Sequence, residues 1–70
     1  MNLNLIKTNI KSHLGIKHHF IYKGIRNQSE EFDGVITKLF SAIFLIQVTD
    51  GTIRSFSYND YIIGNIIIVS

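Results

Sequence analysis

Apolar positions at the start of the chain recur at helical spacing. Leu3, Ile6, Ile10 and Leu14 fall at i, i+3, i+7 and i+11 and so share one face, while Lys7 and Lys11, one turn apart, fall on another. Asn2 or Asn4 stands where a cap would be, and Gly15 stands where a glycine would end the helix. The spacing predicts a helix over about 3–14. So short a helix is marginal alone and must pack on the rest of the chain.

After Gly15 the period drops to two. Ile16, His18, Phe20 and Tyr22 alternate with Lys17, His19, Ile21 and Lys23, the pattern of a half-buried strand that ends at Gly24. The polar run Arg26-Asn27-Gln28-Ser29-Glu30 reads as a loop or hairpin tip. A second strand is expected from about Phe32 to Leu39, with Gly34 as a bulge or bend. A third runs from Ala42 to Thr49 and is apolar enough to suggest burial on both faces. Asp50-Gly51 lies between two strand-like runs and signals a tight hairpin. Strand four is then Thr52 to Ser57, the segment Ser57 to Asp60 is a turn or single 3₁₀ turn, and a last strand spans about Ile62 to Val69, with Gly64 relieving close packing. One helix and five short antiparallel strands predict a mainly β fold: a single domain over 1–70, with a small five-stranded SH3-like or Sm-like barrel over about 16–69.

Composition agrees with that reading. Fourteen of the 70 residues are isoleucine, a β-branched residue that favours strands. A chain of this length buries only roughly 60% of its unfolded surface, and many such domains add disulfides or a metal. Cysteine is absent, so disulfides and cysteine-ligated zinc are excluded, and association into a homodimer is an expected source of further burial. No stretch approaches the ~20 apolar residues of a membrane span. Residues 1–14 lack the order of a signal peptide, so a cytoplasmic protein is expected.

Charge changes the picture more. Lys7, Lys11, Lys17, Lys23 and Arg26 occupy residues 1–26 with no acid among them, whereas residues 27–70 set Lys38 and Arg54 against Glu30, Glu31, Asp33, Asp50 and Asp60. The five early cations, with His18, His19, Phe20 and Tyr22 interleaved, make a candidate face for an anion or nucleic acid. The competing explanation is a solvated surface neutralised by the acidic half, with Phe20 and Tyr22 in the core. A protein partner is the stronger expectation, because Ala42–Val48 and Ile66–Val69 hold more apolar surface than so small a core needs.

Catalysis and metal binding have little support. His18 and His19 face opposite sides of a strand and cannot share an ion, which would leave His13 with a distant carboxylate. Ser57, His19 and Asp60 are types that hydrolases use, but nothing in their spacing supports a nucleophile elbow. Gly24 and Gly34 form no phosphate-binding loop. No enzyme, cofactor or small-molecule substrate is expected.

Several stretches keep the order and spacing of a known family: Ile6-Lys7, Ile10, Leu14-Gly15, Gly24 with Arg26, Glu31-Phe32-Asp33-Gly34, Phe40 to Gln47, and Ser55-Phe56-Ser57-Tyr58-Asn59-Asp60. With these the chain resembles the Veg family of short bacterial proteins, and Gly34, Phe44, Ser57, Tyr58 and Asp60 fall on its motif positions. It departs from the family pattern where a basic cluster usually follows Gly24, since only Arg26 remains there. The family's arginine before the Ser-Tyr-Ser-Tyr stretch is displaced to Arg54, and its proline is Ser41. The hairpin before strand four is shortened to Asp50-Gly51. The resemblance implies a regulatory role in stimulating biofilm formation through gene regulation, without enzymatic activity. It does not identify a molecular target.

Overall fold

The computed structural model describes residues 3–24 and 28–69. Arg26 and the tip of the first hairpin lie outside them. The elements are α1 (Leu3–Lys11), β1 (Lys17–Lys23), β2 (Ser29–Leu39), β3 (Ile43–Val48), β4 (Ile53–Ser57), α2 (Tyr58–Ile62) and β5 (Ile66–Ile68). The five strands form one antiparallel sheet in the order β4-β3-β2-β1-β5. Among the described residues no ladder joins β4 to β5. The sheet therefore keeps two edges, and the expected barrel is not closed by hydrogen bonds.

The inner face carries the core. Phe20, Ile36, Phe44, Ile46, Phe56 and Ile66 are buried there, and α1 adds Ile10. The rings form a connected column: Phe20 to Phe32 at 5.5 Å, Phe32 to Phe56 at 6.1 Å, Phe56 to Phe44 at 6.1 Å and Phe44 to Tyr58 at 5.8 Å between centroids. Such spacings add to simple area burial. Arg54 lies beside the middle of the column, its Cζ 5.0–5.6 Å from the centres of the Phe32 and Phe56 rings and of the neighbouring Tyr22 ring. Its two terminal nitrogens each donate to a Glu30 carboxylate oxygen at 3.0 Å. Side chains thus connect β4 to β2 at one end of the inner face.

Several expectations are corrected. β3 alternates between buried and open positions (Phe44, Ile46 and Val48 in; Ile43 and Gln47 out) and is not covered on both faces. β2 begins at Ser29, so Glu30 is a strand residue rather than part of a loop. Gly34 is no bulge: it pairs in register with His18 and Val48, and the irregularity falls between Ile36 and Lys38. What requires glycine there is close approach, because a Cβ would lie 2.7 Å from the Ile46 side chain and 2.8 Å from the Gln47 carbonyl oxygen. The Asp50-Gly51 hairpin has three loop residues. The Gly51 amide donates to the Val48 carbonyl, Gly51 has φ +95°, and Val48 N–H donates to the Thr52 carbonyl.

The helix ends at Lys11 rather than at 14, and Leu14 leaves its apolar stripe to make a parallel bridge with Ile36. The last strand is shorter than its apolar run. Ser57 accepts from the Asp60 amide at 3.0 Å, the Asp60 carboxylate accepts from the Ser57 amide at 3.4 Å, and this reciprocal cap starts α2. Ile62 therefore belongs to α2. Gly64, at φ +83°, turns the chain into β5 instead of sitting within a strand.

Two outcomes follow for urea unfolding. Gly34→Ala forces a methyl into packed β3 and costs about 1–3 kcal/mol. Ser57→Ala removes the α2 cap and costs about 1 kcal/mol. A Gly34→Ala midpoint equal to that of the parent would contradict the close-approach reading.

Candidate functional site

The four described candidate cations, Lys7, Lys11, Lys17 and Lys23, do not converge on one face. Asn4, Lys7, Thr8 and Lys11 recur at i, i+3, i+4 and i+7 along α1 and form one wall of an open groove of about 710 Å³. Leu14, the end of β2 at Leu39 and the β2–β3 connection at Phe40 and Ser41 form the other wall. Phe40 stays 47% exposed and Leu14 39%, so the groove combines two ammonium groups with uncovered apolar surface.

Lys17 and Lys23 lie elsewhere, at the two ends of β1 on its outer face, six residues or roughly 20 Å apart. His19 and Ile21 lie between them, and opposite those two residues β2 places Asp33 and Glu31. The acids interrupt any basic track along this strand. Lys23 borders a separate hollow of about 390 Å³ with Gly24, Gln28, Ser29 and Asn65. Arg26 lies outside the described residues.

Tyr58 organises the groove. It is 2% exposed, and burial pushes its phenol above the ordinary tyrosine value. Its hydroxyl donates to the Phe40 carbonyl at 2.6 Å and its backbone amide donates to the Ala42 carbonyl at 3.2 Å, which fixes the β2–β3 wall. Lys7 Nζ stands 5.7 Å from the centre of the same ring. The helix is tied down separately, by Asn9 Nδ2 donating to the Tyr61 hydroxyl at 2.9 Å. The other motif positions have structural work as well: Gly34 admits β3, Phe44 is buried, and Ser57 and Asp60 cap the helix that carries Tyr58.

The histidines pair as the sequence did not foretell. His19 sits between two carboxylates, Nδ1 to Asp33 at 2.8 Å and Nε2 to Glu31 at 2.9 Å. These acids are engaged with a side chain rather than merely solvated. Cross-strand register brings the three together, a signal that appears only once β1 and β2 are aligned. Only the imidazolium donates from both nitrogens, so the hydrogen bond to Glu31, then that to Asp33, raises the His19 pKa above 6.5. His13 Nδ1 and His18 Nε2 lie 3.1 Å apart, and His18 Nδ1 is buried with no partner among the described residues. A bare lone pair there costs less than an unpaired N–H, which favours donation from His18 Nε2 to His13. Among the described residues no three histidines or acids gather where they would hold a metal. Ser57 and Asp60 bond to each other in the cap, and His19 is engaged with β2. No helix among the described residues is long and apolar enough to cross a membrane.

A raised native pKa means that the His19 clamp stabilises the fold fully below about pH 6.5 and loses that contribution as pH rises through the native value. Ring-proton NMR should show His19 titrating above the ordinary histidine value, and His19→Gln should remove the corresponding slope in stability against pH. An unshifted titration would contradict the clamp. Tyr58→Phe should cost about 1 kcal/mol in urea unfolding, with amide shifts concentrated at 40–42.

Comparison with known proteins supplies the context for these motif positions. No curated protein matches the chain. The family model described as "Biofilm formation stimulator VEG" matches residues 1–69, and so spans the groove, the clamp and the capped helix alike. The chain belongs to the Veg family of biofilm formation stimulators.

Proposed function

We propose that this protein is a non-enzymatic regulatory binding module that acts by protein–protein contact, in gene regulation linked to biofilm formation, in the cytoplasm. The strand order β4-β3-β2-β1-β5 with a short helix before the last strand fits an SH3-like or Sm-like half-open barrel, a scaffold suited to binding. The family description, a stimulator rather than a catalyst, supports the non-enzymatic reading. The observation that carries the proposal is the groove between α1 and the β2–β3 connection, where Leu14 and Phe40 stay uncovered beside a wall fixed by Tyr58. A preorganised wall spares a partner the entropy of ordering it.

The alternative, a face for RNA or DNA made by Lys7, Lys11, Lys17, Lys23 and Arg26, has less support. Glu31 and Asp33 stand against the stretch between Lys17 and Lys23, and a phosphate track needs contiguous cations. A homodimer could use the outward Ile43 and Ile53 of β3 and β4, which are 37% and 65% exposed.

The test is the double variant Leu14→Ser, Phe40→Ser, which alters exposed positions only. It should keep its thermal midpoint within a few degrees, lose partner capture from cell extract at least tenfold, and fail to stimulate biofilm. Full stimulation by a folded variant would refute the groove. Nucleic acid retained on the purified parent and released by salt would favour the alternative.

A further inference from the structure

We infer that the groove receives an acidic segment of another protein, with carboxylates against Lys7 and Lys11 and an apolar anchor against Leu14 and Phe40. This rests on the protein-binding reading above and specifies its partner. The argument comes from where the chain's own charges go.

All five acidic side chains have partners inside the molecule. Glu30 takes both terminal nitrogens of Arg54. Glu31 and Asp33 hold His19. Asp50 accepts from the Thr52 amide at 2.9 Å and from its hydroxyl at 2.6 Å. Asp60 caps α2. The lysines have no such partners: among the described residues no carboxylate lies within 4.0 Å of any lysine nitrogen. Among the described residues the acids therefore do not neutralise the lysines by pairing with them, and the positive charge on the groove wall meets no carboxylate.

That distribution selects the occupant. The acidic side chains that a second copy of this chain offers already hold partners, so the groove is poorly matched to self-association. A nucleic acid would meet two lysines one helical turn apart beside an apolar wall, too few cations for a phosphate track. A peptide meets both features at once. Lys7 and Lys11 are roughly 6 Å apart at their Cβ atoms, a spacing matched by acids two apart in an extended chain or four apart in a helix. The apolar residue between or beside those acids would then lie on Leu14 and the exposed ring of Phe40. Lys7 is held over the Tyr58 ring, so that its ammonium group is largely preset for the partner, while Lys11 is exposed one turn further along the same wall.

The experiment follows backbone amides of the full chain by NMR. The probes are a twelve-residue peptide with four glutamates and two leucines among serines, its twin with glutamine at each glutamate, and a twelve-nucleotide single-stranded DNA. The expected result is at least tenfold tighter binding of the acidic peptide, with shifts at Lys7, Lys11, Phe40 and Ser41 that fade at high salt. Lys11→Gln alone, at an exposed position, should weaken that binding several-fold without moving the thermal midpoint. If the glutamine twin binds the same residues equally well, the acidic inference falls while the protein-binding groove stands. If neither peptide moves the groove residues, both fall. If the DNA binds there more tightly than the acidic peptide, both fall in favour of nucleic acid.

Discussion

The structure depends on its column of stacked rings. A sheet of five short strands with no ladder between its edges would be a weak scaffold, and the chain has no disulfide or described metal cluster to reinforce it. Phe20, Phe32, Phe56, Phe44 and Tyr58 connect β1, β2, β4, β3 and α2 across the inner face, doing with side chains what backbone closure would otherwise do. Arg54 extends the same tactic, with its guanidinium over three rings and forked onto Glu30. The far end of the column is Tyr58, and that residue also sets the groove wall. Core and candidate site are therefore mechanically one object.

Much of this was legible in the sequence, because much of it is local. The 3.6 and 2 periods placed α1 and β1, and Asp50-Gly51 placed the β3–β4 hairpin. Local reading failed where two signals overlapped. Ile62 to Val69 is apolar apart from Gly64 and Asn65 and reads as a strand, yet the reciprocal cap of Ser57 and Asp60 fixes a helical turn first and leaves only Ile66–Ile68 to pair with β1. β3 departs from expectation for a similar reason: Ile43 and Leu45 are apolar, but the outer face they share is only partly covered, with Ile43 exposed and Leu45 half-buried. Gly34 looked like a bulge because sequence alone does not show that the Ile46 side chain crowds its missing Cβ.

Charge shows the limit most clearly. The asymmetry between the two halves of the chain is visible in the sequence, but its meaning depends on long-range geometry. Register brings Glu31 and Asp33 to His19, and the fold brings Glu30 to Arg54. Lys7 and Lys11 are left to a helix wall, and Lys17 and Lys23 to the ends of β1. The early cations that the structure describes thus occupy separate places in space, with the α1 pair beside partly uncovered Leu14 and Phe40.

Hydrogen–deuterium exchange on the protein isolated with its native partner, compared with the free protein, addresses the central claim most directly. The account predicts slowed exchange in residues 4–14 and 39–42, with β1 unchanged. Slowing confined to residues 17–23, with the groove unaffected, would contradict it.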